Sequence, residues 1–181
     1  MNEKILKDTT VFDGHLIRVH VDDVELDNGQ TAKREIVDHP GGVSVAVLTA
    51  ENELLFVKQF RCPYKEVLME LPAGKLEKGE DPFEAAKREL AEECGLKAEH
   101  YTDLGEFYPT VGYCSEIIYT WMATGLTPCA MHLDEDEFLT PEKLPFAEAV
   151  AMVLDGRIKD GKTVAAILKI DALRRRKAAE Q

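Results

Sequence analysis

Positive charge, thiols and long apolar runs are all scarce in this chain. Its 22 lysines and arginines stand against 34 aspartates and glutamates, a formal charge of −12 over 181 residues. Such a surface repels polyanions, so neither nucleic acid nor an anionic membrane is expected as its main partner. The four cysteines, Cys62, Cys94, Cys114 and Cys129, show no C-x-x-C spacing. Neither a disulfide framework nor a zinc site is expected from them. No apolar run approaches the roughly 18 residues that cross a membrane. The opening MNEKILKDTTVFDG lacks the apolar stretch of a secretory leader, so a reducing cytoplasm is the expected setting. Internal repeats and low-complexity linkers are missing as well. What remains is 45% hydrophobic and 31% charged, an ordinary soluble composition at a length that fits one domain with room for a small extra element.

Acid is what the chain has in quantity, and it is concentrated. Between Gly74 and Leu96 the sequence reads GKLEKGEDPFEAAKRELAEECGL, with glutamates at 77, 80, 84, 89, 92 and 93. Asp81 suits an N-cap, Pro82 the first helical position, and Glu84 completes a capping-box spacing. Gly95 stands where a left-handed C-terminal residue is wanted. Phe83, Ala86, Leu90 and Cys94 form the apolar stripe. Glu89, Glu92 and Glu93 share a second face, centred roughly 110° from that stripe, and are expected to flank the core without being fully buried. At i, i+3, i+4 spacing their Cβ atoms lie about 5–6 Å apart, where like charges oppose each other. A hard divalent cation resolves that conflict, since it takes oxygen ligands and brings phosphates with it. A solvated acidic face is the plain alternative.

The rest of the chain alternates strand and turn signals. Strand patterns run from Thr10 to about Val37, broken by Asn28-Gly29, the strongest short hairpin signal. Further strands are expected at 43–48, 54–60, 67–71, 101–108 and 117–123, with helices over 146–154 and from Val164 to about Arg175. This order predicts an α/β or α+β fold, a mixed sheet sandwiched between helices, preceded by a small antiparallel sheet. The break at His39-Pro40-Gly41-Gly42 divides residues 1–40 from a main domain over 41–181. The basic run Arg174-Arg175-Arg176-Lys177 complements a helix dipole at its C-terminal end.

The acidic segment fits G-x5-E-x7-R-E-U-x-E-E-x-G-U, U being a bulky aliphatic, at Gly74, Glu80, Arg88, Glu89, Leu90, Glu92, Glu93, Gly95 and Leu96. Seven fixed positions match by chance on the order of once in 10⁸ starts. This is the Nudix box, and the chain closely resembles a Nudix hydrolase. Over nearly its full length it resembles the ADP-ribose pyrophosphatase branch, through 33–40 (KREIVDHP), 59–61 (QFR), 70–74 (ELPAG) and 134–138 (DEDEF). The resemblance implies hydrolysis of the pyrophosphate bond of ADP-ribose, to AMP and ribose 5-phosphate, or of a related nucleoside diphosphate sugar. It also implies a homodimer that exchanges its N-terminal sheets, with Arg34 and Glu35 near the partner's substrate.

Residue by residue, the resemblance makes Glu89 and Glu93 the main ligands of Mg²⁺, with Mn²⁺ also serving. Glu92 stands beside them, the carbonyl of Ala73 is a further ligand, and Arg88 and Glu80 hold the carboxylates in place. Arg61 follows a strand end, where its fork suits a phosphate; a surface arginine is the plain alternative. Gly112 and Glu116 fall on the substrate side. An acidic loop supplies a glutamate acting as base or metal ligand, with Glu137 the first choice and Glu135 the second; otherwise the run is a solvated turn. Val111 stands where the ADP-ribose branch usually carries a proline, which leaves an ADP-sugar or GDP-mannose open as substrate. A triphosphate pyrophosphatase, acting on damaged nucleotides or RNA caps, and a non-catalytic ligand sensor are the competing readings. The N-terminal sheet and the complete set of box glutamates weigh against them.

Overall fold

The computed structural model describes residues 2–133 and 138–180. The chain divides into two compact units, Met1–Gly41 with Tyr108–Ile117, and Gly42–Phe107 with Ile118–Gln181.

The first unit is a three-stranded antiparallel sheet in the order β1 (Lys4–Asp13), β2 (Arg18–Glu25), β3 (Thr31–Asp38). The Asn28-Gly29 turn joins β2 to β3, with Gly29 at φ 78° as such a turn requires. β1 begins at Lys4, earlier than the Thr10 expected from pattern. Its side chains are exposed throughout, so no alternation marks it, and pairing with β2 defines it instead. The loop at 110–115 joins this unit through Val37, whose N–H donates to the Tyr113 carbonyl and whose carbonyl accepts from Ser115 N–H.

The second unit is a seven-stranded mixed sheet with helices on both faces. Its main order is β10 (Thr140–Pro145), β5 (Glu53–Arg61), β4 (Gly42–Leu48), β9 (Ile118–Pro128), β8 (Leu96–Phe107), with β6 (Glu66–Glu70) on β5 and β7 (Ala73–Lys75) on β4. β4 is buried along its whole length. Because side chains alternate across a strand, Val43, Val45 and Val47 pack with Ala85, Ala86 and Leu90 of helix α1 (Pro82–Cys94). Ala46 and Leu48 pack on the other face with α2 (Phe146–Leu154) and α3 (Gly161–Ala179). The expected sandwich is the observed one. β10 escaped pattern reading because Pro141 and Pro145 bound it, and an edge strand tolerates them.

One departure from regular pairing prepares the site. β4 and β5 pair only at Val47↔Leu55 and Leu48↔Leu54. Beyond that they part, and each takes a new partner: β5 runs along β6, and β4 along β7. The residues between β6 and β7 are thereby held in the opening of the sheet, with α1 over β7.

Candidate active site

Residues 70–74 are the hub, and almost every one of them is tied to a different element. Leu71 N–H donates to Thr163 Oγ1 of α3 at 2.9 Å. The Pro72 carbonyl accepts from Val45 N–H at 2.9 Å and from Ser44 Oγ at 3.3 Å, both in β4. Ala73 N–H donates to Glu93 Oε2 at 3.0 Å. A Cβ on Gly74 would lie 1.9 Å from the Glu89 carboxylate carbon, so that carboxylate rests directly on bare backbone. Only glycine leaves this space. The two ends of the box, Gly74 and the α1 carboxylates, are therefore one packed unit.

Helix α1 is capped as its sequence predicts at both ends. Asp81 Oδ1 accepts from Phe83 N–H and Glu84 N–H at 2.9 and 3.2 Å, and Gly95 adopts φ 61°. The capping box differs: Glu84 pairs with Lys87 Nζ at 2.8 Å, while Glu80 reaches toward Arg88. The burial of the acidic face also corrects the expectation. Glu89 is 7% and Glu93 4% exposed, because the β7 backbone covers them where Gly74 has no side chain. Glu92 stays half-open to solvent, and burial, then Glu93, pushes the Cys94 thiol up to about 12.

Arg88 gathers the acids. Its Nε and Nη2 donate to the two Glu80 oxygens at 2.9 and 3.0 Å. Its Nη1 donates to both Glu89 Oε1 and Glu92 Oε2 at 2.8 Å. The Glu80 hydrogen bonds hold the guanidinium well above its usual range, and in turn hold Glu80 below the usual carboxylate range. One cation thus faces three carboxylates, with Glu93 a fourth beside them. The carboxylate oxygens gathered here fit a hard divalent cation.

Arg61 closes β5, one position earlier than expected relative to the strand end. Its Nε and Nη2 donate to Glu70 Oε1 and Oε2 at 2.6 and 2.8 Å. That two-point bond, with Asp160 and Glu93 also within Coulomb range, keeps its guanidinium above the ordinary value. Glu70 is 2% exposed. Burial pushes its carboxyl up, but Arg61 and Lys162 outweigh burial and leave it below the usual range. Glu70 leads directly into the 71–74 backbone, which ties Arg61 to the box.

In the first unit, Glu116 Oε1 lies 3.7 Å from His39 Nδ1. Gly112 has open space around it, and Val111 is 82% exposed. Arg34 pairs with Glu3 through Nε at 3.0 Å, and Glu35 is exposed on β3 across from Val21. Glu137 and Glu135 lie outside the described residues. Two groups went unseen in the sequence. Glu70 and Lys162 are 92 residues apart, and no spacing links them. Asp8, His20 and Asp22 bring ligand atoms within 4.8 Å of one another; the i, i+2 pair on β2 was a legible signal, whereas Asp8 needed the register with β1. Arg18 knits that group by bonding Asp8 and, at 2.9 Å, Asp38. Among the described residues no helix is long and apolar enough to cross a membrane.

Residues 38–167 match the NUDIX domain, and residues 3–37 match the nucleoside diphosphate sugar hydrolase N-terminal domain. The chain is 47% identical over 167 residues to a methanol dehydrogenase activator of Bacillus methanolicus, covering 91% of this chain and 90% of that one. It is 41% identical over 169 residues to an ADP-ribose pyrophosphatase of Bacillus subtilis (strain 168), with 92% and 91% covered. A GDP-mannose pyrophosphatase of Yersinia enterocolitica is 35% identical over 150 residues, with 76% and 78% covered. A solved ADP compounds hydrolase shares the fold at TM-score 0.86 and 24% identity, over 98% of this chain and 96% of that one.

Proposed function

We propose, from the premise that this chain belongs to the NUDIX family of hydrolases, that it cleaves the pyrophosphate bond of ADP-ribose or a closely related nucleoside diphosphate sugar with the help of Mg²⁺. The observation that carries this reading is the packing of two buried carboxylates, Glu89 and Glu93, onto the Ala73–Gly74 backbone. The similarity to ADP-ribose and GDP-mannose pyrophosphatases supports the substrate class.

Glu89, Glu93, Glu92 and the Ala73 carbonyl would hold the cation, with Mn²⁺ an alternative ion. When bound, a divalent cation screens the pyrophosphate charge and lowers the pKa of water. Arg88 fixes the rotamers of Glu89 and Glu92, and Glu80 fixes Arg88, so the oxygens need no reorganisation as substrate arrives. Arg61 orients the diphosphate through the nitrogen left over from its Glu70 bond. Gly112 and Glu116 belong to the substrate side, and the loop base is Glu137, with Glu135 the alternative.

Residues 1–40 form the exchanged sheet of a homodimer in this reading, and Arg34 and Glu35 serve the partner's site. Exposed Ile5, Leu6, Val11 and Phe12 on β1 support a covered edge. A cytoplasmic location belongs to the same reading.

The test is a panel of ADP-ribose, an ADP-sugar, GDP-mannose and a deoxynucleoside triphosphate, with MgCl₂ and with chelator. AMP and ribose 5-phosphate are expected from ADP-ribose, and no product under chelation. No AMP from ADP-ribose alongside faster cleavage of another substrate would overturn the substrate. A monomer in sedimentation at micromolar concentration would overturn the exchanged sheet. The identity to a methanol dehydrogenase activator favours a second reading, in which the chain raises the rate of a dehydrogenase; adding it to such an assay decides that.

A further inference from the structure

A second charged cluster lies in the same unit as the box, and the reading above uses only one of its members. Glu70 at the end of β6 is buried between two cations. Arg61 takes both of its oxygens at 2.6 and 2.8 Å, and Lys162 Nζ donates to Oε2 as well. Lys162 is itself buried and also meets Asp160 Oδ2 at 3.0 Å. Asp160 is the N-cap of α3 and accepts from Thr163 N–H and Oγ1 at 3.1 and 2.6 Å. Thr163 in turn accepts from Leu71 N–H. The start of α3 is thus bolted to the strand segment that carries both Glu70 and the box backbone.

The fork geometry matters. Glu70 occupies the Nε–Nη2 edge of Arg61 and fixes its guanidinium plane, leaving Nη1 for another anion. If Arg61 were the sole counterion of a buried carboxylate, much of its charge would be spent on Glu70. Lys162 supplies the second positive charge, so two cations meet two carboxylates and Arg61 retains its pull on an incoming phosphate. Lys162 itself is buried and held by two acids.

We propose that Lys162 is a positioning residue, acting through Glu70 to hold Arg61 in place and keep its charge available to the diphosphate of the substrate. The inference rests on the reading that Arg61 meets that diphosphate. Losing a charge-assisted contact of this kind weakens ground-state and transition-state binding alike, which raises KM and leaves kcat nearly unchanged.

The experiment measures kcat and KM for ADP-ribose hydrolysis, with thermal unfolding, for Lys162→Met, Lys162→Arg, Arg61→Ala and the double variant Lys162→Met/Arg61→Ala. Lys162→Met is expected to raise KM about tenfold, Lys162→Arg to recover most of it, and the double variant to match Arg61→Ala alone. Should Lys162→Met fail to fold, Lys162→Gln, which keeps a donor to Glu70 but not the charge, is expected to show the same raised KM. A fall in kcat and Tm at unchanged KM would mean that Lys162 only stabilises the fold. A KM effect of Lys162→Met that persists in full on top of Arg61→Ala would also overturn the proposal. If Arg61→Ala leaves KM unmoved, the reading of Arg61 fails and the proposal with it. If Arg61→Ala raises KM and Lys162→Met does not, only the proposal fails.

Discussion

Two charged clusters in the large sheet unit are built on opposite plans. Around Glu70, two cations meet two carboxylates: Arg61 and Lys162 against Glu70 and Asp160. Around Arg88, a single guanidinium serves Glu80, Glu89 and Glu92, with Glu93 buried nearby. The first cluster balances cation against carboxylate. The second gathers several carboxylates around one guanidinium in a place partly shielded from water, a setting that suits a hard cation. In the proposed function the first cluster orients the diphosphate and the second holds the cation. Both converge on residues 70–74.

The comparison breaks most severely at Glu93. Glu93→Gln keeps the shape and the bond from Ala73 N–H but removes a ligand charge. Hydrolysis is expected to lose about a thousandfold in kcat, roughly 4 kcal/mol, measured at saturating substrate and Mg²⁺; a change within a few-fold would remove Glu93 from the ligand set.

Gly74→Ala tests the same site through its backbone. The new Cβ would overlap the Glu89 carboxylate and must expel it, and misplacement by about 1 Å costs on the order of a hundredfold. Activity should fall by about that much while the far-ultraviolet circular dichroism stays native. An active Gly74→Ala enzyme would show that Glu89 has no need of its place.

Arg88→Gln enlarges the imbalance, leaving three carboxylates without their shared cation. Activity is expected to fall about tenfold to a hundredfold, with partial recovery as Mg²⁺ is raised, because outer residues tune metal affinity. A titration of rate against Mg²⁺ for both proteins reads it directly.

The smallest effect is on stability against pH, and it sharpens the contrast. Glu70 and Glu80 both have folded values below their ordinary ones, so the stability they contribute is complete above about pH 4.3 and is lost as the pH falls through the folded values. Chemical unfolding across that acid range should show the loss. Salt should weaken the part owed to the half-open Arg88–Glu80 pair more than the part owed to buried Glu70. Comparing Glu70→Gln with Glu80→Gln in low and high salt separates the two.

Much of this was legible in the sequence because it is local. The caps of α1, the three carboxylates on one face and the alternation of β4 follow from residues within a few positions of one another. The β2–β3 hairpin of the small sheet was legible from its Asn-Gly turn, but most of β1 was not, since a strand with no buried side carries no period. β10 was hidden by its prolines. The burial of Glu89 and Glu93 was missed because helical periodicity knows only the helix's own stripe, and here a glycine from another strand makes the cover. Glu70 and Lys162 were out of reach for a different cause, being brought together only when α3 docks.

The sequence by itself determined an acidic helix with fixed caps and a lone arginine among its carboxylates. Tertiary structure alone decided which carboxylates are buried, which backbone they rest on, and which cation supports Arg61. Charge and periodicity are properties of neighbours along the chain. Desolvation and long-range ion pairing exist only once strands have parted and a distant helix has closed over the gap.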